Sequence, residues 1–147
     1  MSDKKIPTNE FLNKLLKTSS INRFIKRYNE DMDLYPVFHD YISQLCVQKG
    51  VSRDRIIKKA DISKTYGYQI FNGERNPSRD RVIQLAFSFE MNYDETQELL
   101  RVARKTALYP KITRDAVIIH ALNHGYDVAS VQEALYELSV TILGEDR

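Results

Sequence analysis

Four polar side chains of different chemistry fall on one face of a short helical pattern near the middle of this 147-residue chain. They are Lys64, Thr65, Tyr68 and Gln69. Ile62 and Ile70 flank them and are expected to face inward. An ammonium group, two hydroxyl groups and an amide suit the base edges and phosphates of duplex DNA better than they suit a core. The pattern therefore predicts a polar binding face on a helix from Ser63 to Asn72.

Two short helices separated by a turn are predicted to position this face. Ser52 can cap a first helix that runs from Arg53 to about Ala60, because its hydroxyl can accept a hydrogen bond from a free backbone N–H. Ser63 can cap the second helix in the same way. Asn72-Gly73 supplies the left-handed residue that ends this second helix.

The stretch from Val37 to Asn92 resembles the helix-turn-helix of the Cro and phage-repressor type, the XRE family. The matching residues are Gly50-Val51-Ser52, Ile62-Ser63 and Asn72-Gly73-Glu74-Arg75-Asn76-Pro77-Ser78. The last of these segments is the most specific. The resemblance implies an all-α protein with a lambda-repressor-like unit of five helices from Pro36 to Lys105, in which Ser63–Asn72 is the recognition helix in the major groove.

Two residues depart from the family pattern. Asp61 lies in the turn where the family usually has glycine, and aspartate can adopt a left-handed backbone at some cost. Gly67 replaces a branched apolar residue of the recognition helix. We expect this glycine to remove a core side chain and to loosen the helix by about 1 kcal/mol relative to alanine.

The resemblance also implies roles for individual side chains. Lys64, Thr65 and Gln69 would read base edges, and Tyr68 would contact either a base or the DNA backbone. Arg53 would lie near a phosphate or a base, and Arg75 would approach the DNA backbone. The full set of predicted phosphate-binding residues is Arg53, Lys58, Arg75 and Arg79. Because the family commonly reads two-fold related half-sites on double-stranded DNA, a homodimer is expected.

The charge is uneven along the chain although the net charge is only +2. Eight basic and four acidic residues lie between Gly50 and Arg81, and five basic residues without an acid lie between Arg101 and Arg114. Five acids and one base follow from Asp127 to Arg147. The basic regions can face phosphate while the acidic end stays free for a partner; simple solvation of the helices is the alternative.

Other features bound the class of protein. No apolar run is long enough to span a bilayer, and the first residues lack the apolar segment of a signal peptide, so a soluble cytoplasmic protein is predicted. The single cysteine, Cys46, agrees with a reducing compartment. Its position in an apolar pattern favours a buried small side chain over a reactive thiol.

Further helices are predicted on both sides of the five-helix unit. Residues 1–35 form an N-terminal helical extension of undecided role, and residues 106–147 form a C-terminal helical hairpin. Ser78, Asn92 with Glu95, and Asp127 are the predicted caps of later helices. The hairpin can bury its apolar faces on the five-helix unit or against a second copy, and partial use in a dimer is favoured.

The remaining candidate sites are weaker. His120 and His124 are four residues apart, a spacing that can place two imidazoles on one metal, but no third ligand is evident and no metal or cofactor is predicted. Tyr66, Tyr68 and Phe71 can stack on bases or pack locally, and Phe71 at least is expected to be mostly buried. No catalytic set can be identified, so an enzyme is not expected. The alternative function is a protein-interaction module on the same fold, which would bind a partner protein through Tyr66-Gly67-Tyr68 and the added helices.

Overall fold

The computed structural model describes residues 6–32 and 37–144, and these ranges contain helices and turns but no strand. The predicted all-α class is confirmed over the described residues. The chain divides into a small N-terminal unit and a larger unit. The predicted boundary between residues 35 and 36 lies outside the described ranges. None of the helices in these ranges has the length and apolar character needed to cross a bilayer.

The N-terminal unit consists of two helices, α1 (Thr8–Lys17) and α2 (Ile21–Arg27), followed by a single 3₁₀ turn at Asn29–Asp31. Ser20 caps α2 by accepting a hydrogen bond from the N–H of Arg23. Phe24 is the one buried apolar side chain of the unit over its described residues, and its ring meets that of Phe11 edge-on, with the centroids 5.1 Å apart.

The larger unit begins with three helices, which are α3 (Phe38–Lys49), α4 (Arg53–Lys59) and α5 (Lys64–Phe71). The predicted serine caps are confirmed, because Ser52 accepts from the N–H of Arg55 and Ser63 accepts from the N–H of Tyr66. The turn between α4 and α5 contains Asp61 at φ 58°, which is the left-handed backbone expected there. Gly73 ends the following turn at φ 79°.

Gly67 allows α4 and α5 to approach each other closely. A β-carbon at this position would lie 2.5 Å from Cγ2 of Ile57 and 2.7 Å from its Cγ1. The expectation that Gly67 leaves the core short of a side chain is therefore wrong. The branched side chain comes instead from Ile57 on α4, which is buried against the glycine. Glycine is needed because only its missing β-carbon leaves room for Ile57.

Four further helices complete the larger unit. They are α6 (Arg79–Ser88), α7 (Tyr93–Val102), α8 (Thr113–Asn123) and α9 (Val128–Glu137). The predicted caps are present: Ser78 caps α6, Asn92 and Glu95 form a reciprocal capping box on α7, and Asp127 caps α9. The accepted hydrogen bond from Ser130 lowers the pKa of Asp127.

The hairpin of α8 and α9 packs on α6 and α7 of the same chain. Helix α6 contacts α9, and α7 contacts α8. Ile118 and Leu135 of the hairpin belong to the same buried apolar cluster as Ile83 and Leu100. The main apolar faces of α8 and α9 are thus covered within one chain.

The two hairpins α6–α7 and α8–α9 are an internal repeat with an offset of 35 residues. The register aligns 79–108 with 114–143, and the segment Arg79-Asp80 corresponds to Arg114-Asp115. The left-handed residues also correspond, since Glu90 and Gly125 follow the first helix of each hairpin. Arg104 and Ser139 likewise follow the second helix of each hairpin. The two halves therefore share one backbone design.

Hydrogen bonds are exchanged reciprocally between the two hairpins. Arg79 donates to both carboxylate oxygens of Asp115, at 3.2 and 2.9 Å, and Arg114 donates to both oxygens of Asp80, at 3.0 and 2.8 Å. The N–H of Tyr109 donates to Asp115, and that of Gly144 donates to Asp80. Contacts in which each half provides the same two groups to the other are those of a two-fold symmetric pair. The four helices therefore form an intramolecular pseudo-dimer.

Each hairpin also holds, through side-chain hydrogen bonds, the segment that follows its second helix, which we call the exit segment. Gln97 makes two hydrogen bonds to the backbone of Leu108, and Gln132 makes two to the backbone of Leu143. Arg79 and Arg114, whose bidentate pairs with Asp115 and Asp80 we call the clamps, each also donate to two successive carbonyls in the exit segment of their own hairpin. As a result, every buried side-chain polar atom within the described residues has a hydrogen-bond partner.

Candidate nucleic-acid interface

The predicted polar residues of α5 lie together on the surface of the larger unit. Lys64 and Thr65 are exposed in the first turn, and Tyr68 and Gln69 are half-buried one turn later. The opposite side of α5 is fixed in the core by Ile70, which is 1% exposed. Burial of Ile70 sets the rotation of the helix, so the polar face points outward.

Tyr68 is held by a side chain of α4. Its hydroxyl donates to a carboxylate oxygen of Asp54, an exposed residue in the first turn of α4. The ammonium group of Lys64 lies 6.0 Å from the centroid of the Tyr68 ring. Lys64 donates no hydrogen bond to any residue in the described ranges, so its ammonium group is available to an acceptor from outside.

Gln69 is held by an arginine beyond the end of α5. Nε of Arg75 donates to the side-chain oxygen of Gln69 at 3.0 Å, and the Arg75 guanidinium lies 5.1 Å from the ring centroid of Tyr66. The guanidinium of Arg81 lies 5.6 Å from the same ring. Tyr66 therefore packs locally, next to two guanidinium groups.

A third contact joins the start of α4 to the end of α5. Arg53 donates to the side-chain oxygen of Asn72 at 3.2 Å, and Asn72 donates in turn to Glu74 at 3.3 Å. Each of these residues is exposed, so water competes for each bond and the net contribution to stability is small. The contact positions the guanidinium of Arg53 beside the polar face of α5.

Lys58 lies at the edge of a shallow hollow between α4 and α5. The hollow measures about 350 Å³. Its lining residues are Asp54, Ile57, Lys58, Ile62 and Lys64. Within the described part of the chain, Lys58 makes no hydrogen bond or ion pair. The ammonium groups of Lys58 and Lys64, neither of which has a hydrogen-bond partner within the described residues, thus lie beside the apolar side chains of Ile57 and Ile62.

Arg79 lies in a different environment from the other predicted phosphate-binding residues. Its guanidinium donates two hydrogen bonds to Asp115 and two to the carbonyls of Thr106 and Ala107. The Asp115 side chain is 5% exposed, and that of Arg79 is 23% exposed. Because these bonds engage the donors of Arg79 inside the molecule, we assign it to the clamp between the hairpins rather than to phosphate.

Two residues hold the polar face through contacts that were not predicted from the sequence. Asp54 holds Tyr68 from fourteen residues away, and Asn72 holds Arg53 from nineteen residues away. Neither separation corresponds to neighbours on one helix, so local spacing carries no signal for these contacts. They follow only from the packing of α4 on α5.

The other candidate sites are the Cys46 thiol and the pair His120 and His124. Burial raises the pKa of the Cys46 thiol, although the positive charge of Arg53 opposes the rise. The rings of His120 and His124 are stacked with their centroids 4.0 Å apart, and Nδ1 of His124 lies 2.8 Å from the backbone oxygen of His120. Across residues 6–32 and 37–144, no three His, Cys, Asp or Glu side chains form a group that could hold a metal ion.

Comparison with known proteins finds no match for the chain among family models, curated proteins or solved structures.

Proposed function

We propose that the protein is a DNA-binding transcriptional regulator of the lambda-repressor-like helix-turn-helix class, which inserts α5 into the major groove. The observation that carries the proposal is the arrangement of side chains on α5. Lys64, Thr65 and Gln69 share one outward face, and Arg53 and Arg75 lie near its C-terminal end, where they bond to Asn72 and Gln69. A short helix with hydroxyl and amide groups outside, an ammonium group in its first turn and guanidinium groups near its last turn matches the chemistry of base edges flanked by phosphates.

The bonds within this surface are of a kind that DNA can replace. Gln69 and Arg53 have neutral or exposed partners, and the free protein holds them near the positions from which they would bind. Base edges can offer the Gln69 amide a donor, as Arg75 does in the free protein, and an acceptor for its NH₂ group. Arg75, once released from Gln69, can then bind a phosphate.

Homodimerisation is the part of the proposal that rests on the resemblance to repressors with two-fold operators. In this proposal two copies read half-sites about one DNA turn apart or a multiple of that distance. The α8–α9 hairpin already buries its main apolar face within the chain, so the dimer contact would use another surface.

The test begins with selection of bound duplexes from a random pool at two salt concentrations. We expect an enriched inverted repeat and a steep loss of affinity at the higher salt, because bound phosphates release counterions. Absence of any enriched sequence, together with weak binding at low salt, would refute the proposal.

Variants then separate base reading from phosphate binding. Lys64→Ala and Gln69→Ala should lower the affinity ratio between selected and random duplex, by about 1 to 3 kcal/mol for a bidentate contact. Arg75→Ala should weaken both duplexes similarly and lower the salt slope by about one unit. Lys26→Ala is the matched control, since Lys26 is an exposed lysine outside both basic segments and its loss changes net charge as the loss of Lys64 or Arg75 does.

A protein-binding function is the second candidate, and the hollow beside α5 is the observation that favours it. Its floor of Ile57 and Ile62 is apolar, and an apolar side chain of a partner protein would fit such a surface. If a defined protein bound at this hollow while random and selected duplexes bound equally weakly, this second function would replace the first.

A further inference from the structure

The internal repeat shows which face of a hairpin binds another helix. In the first hairpin, α6 supports α4 through polar side chains that are completely buried. Gln84 donates to the carbonyl of Ala60 at 2.8 Å, and Ser88 donates to the carbonyl of Ile56 at 2.6 Å. Leu85 lies one residue after Gln84 and is 1% exposed. Gln84 and Ser88 therefore define the docking face of α6, next to which Leu85 is also buried.

The equivalent face of the second hairpin is uncovered. Ile119 corresponds to Gln84 and is half-buried, whereas Asn123 corresponds to Ser88 and is exposed. His120 takes the place of buried Leu85 and is also exposed. In the second hairpin, therefore, two of the three positions equivalent to these buried residues of α6 are exposed.

Helix α9, which packs beside α8, is also less covered than its equivalent α7. Leu138 is 58% exposed, and Ala103, its equivalent at the end of α7, is half-buried. Ala134 is half-buried where its equivalent, Leu99, is fully buried. Ala134 and Leu138 are four residues apart on one side of α9, and with Ile119 of α8 they supply the apolar side chains that an amphipathic helix needs.

The charge of the hairpin indicates the kind of helix. No lysine or arginine occurs from 115 to 144, and the exposed acids Asp127, Glu133 and Glu137 lie on or next to α9. Glu137 occupies the position of Val102, which is buried in the first hairpin. The helix that fills the equivalent site, α4, is basic outside and carries Ile56, Ile57 and Ala60 inside. Both the charge of the site and its natural occupant in the repeat point to a basic helix.

We propose that the face formed by Ile119, His120, Asn123, Ala134 and Leu138 docks a basic amphipathic helix of a partner protein, in the way that α6 docks α4. We name this surface the α8–α9 face. The helix places apolar side chains on Ile119, Ala134 and Leu138 and a lysine or arginine near Glu137. This function is separate from DNA binding, because α5 takes no part in it.

The experiment titrates the ¹⁵N-labelled full chain with a synthetic helical peptide and follows backbone amide shifts. The probe is a stapled helix of about 15 residues, with leucines at i, i+3, i+4 and i+7 and lysines elsewhere. Two controls are a peptide of the same composition in scrambled order and a helix with glutamate in place of every lysine. We expect saturable shifts confined to the α8–α9 face with the lysine helix alone.

Variants make the assignment specific. Leu138→Asp should weaken binding of the lysine helix about tenfold or more, because it places a charge in the apolar strip without disturbing the core. Val47→Asp is the matched control, since Val47 is 82% exposed on α3. Glu137→Lys should reverse the preference between the lysine and glutamate helices.

Equal binding of the scrambled peptide, or shifts centred on another surface, would overturn the proposal. Concentration-dependent shifts of the same residues without peptide would also overturn it, because they would assign the face to a second copy of the chain.

Discussion

The tetrapeptide Ser-Arg-Asp-Arg occurs twice in the chain, at the start of α4 and at the start of α6, and the two copies have opposite environments. Both serines cap their helices. In α4, Arg53 and Asp54 are exposed and bond to Asn72 and Tyr68.

In α6, the corresponding Arg79 and Asp80 are engaged in the buried clamps with Asp115 and Arg114. The same local sequence therefore gives a surface that can exchange partners in one place and a fixed structural contact in the other. The difference is made by the α8–α9 hairpin, which covers the start of α6 and leaves the start of α4 open. A basic residue near a candidate recognition helix thus indicates DNA binding only when no other element of the fold satisfies it.

The sharpest test of this comparison removes the aspartate from each tetrapeptide. Asp80→Ala should lower the free energy of unfolding by about 3 to 5 kcal/mol, because it leaves the Arg114 guanidinium without its buried carboxylate. Asp54→Ala should change it by no more than about 0.5 kcal/mol. The two residues occupy the same position in serine-capped helices, so helix-end effects cancel. Urea denaturation measures both, and similar losses would show that burial is not the cause.

A second substitution tests how closely α4 and α5 are packed at Gly67. Gly67→Ala gains about 1 kcal/mol in helix propensity. It also introduces a clash with Ile57, and overpacking of this kind costs about 1 to 3 kcal/mol. We expect a net loss of about 1 kcal/mol in denaturant unfolding.

The background of Ile57→Ala provides the control for this substitution. All three clashing atoms belong to the Ile57 side chain, so Gly67→Ala should become neutral or stabilising there. Additive effects of the two substitutions would show that Ile57 is not what requires the glycine.

The buried Asp80–Arg114 clamp should also make the free energy of unfolding depend on pH. Burial alone would raise the pKa of Asp80, but hydrogen bonds from Arg114 and Gly144 and the charges of Arg114 and Arg79 lower it overall. Ionised Asp80 therefore favours the folded state, and this contribution is complete above the unfolded pKa of about 4 and is lost as pH falls through the folded value. Each unit of lowering corresponds to about 1.4 kcal/mol.

The free energy of unfolding of the wild type should accordingly approach that of Asp80→Asn as the pH is lowered from about 6 to about 2. Parallel pH profiles of the two proteins would contradict the lowered pKa of Asp80.

The smallest effect is expected from the exposed counterpart of these contacts. Tyr68→Phe removes the hydroxyl that donates to Asp54, and the free energy of unfolding should change by about 0.5 kcal/mol or less because both groups are open to water. Thermal unfolding at two salt concentrations measures it. A loss comparable to that of Asp80→Ala would place Asp54 and Tyr68 in a structural role instead of an exchangeable one.

Features that depend on neighbours in sequence could be predicted, and features that depend on distant partners could not. The caps at Ser52, Ser63, Ser78 and Asp127 are confirmed because a cap requires only a side chain and the next turn of helix. The capping box at Asn92 and Glu95 is confirmed for the same reason.

The role of Arg79 could not be predicted from its surroundings in the sequence. Its carboxylate partner is 36 residues away, and its neighbours match those of the exposed Arg53. The role of Gly67 was also hidden, because the side chain that replaces its own comes from α4. The internal repeat carried the missing signal, since Arg-Asp recurs 35 residues later with Gln97 and Gln132 in register.

The exit segments of the two hairpins have a consequence for the order in which the protein is completed during synthesis. Asp80 accepts a hydrogen bond from the N–H of Gly144, and Arg114 donates to the carbonyls of Thr141 and Ile142, which follow the other described residues in the order of synthesis. Until these residues have emerged, the Asp80–Arg114 pair lacks part of its hydrogen bonding. The side-chain bonds on the polar face of α5 need nothing beyond Arg75, and the bonds that hold α4 on α6 need nothing beyond Ser88. The polar face can therefore form on the nascent chain before the Asp80–Arg114 pair is complete.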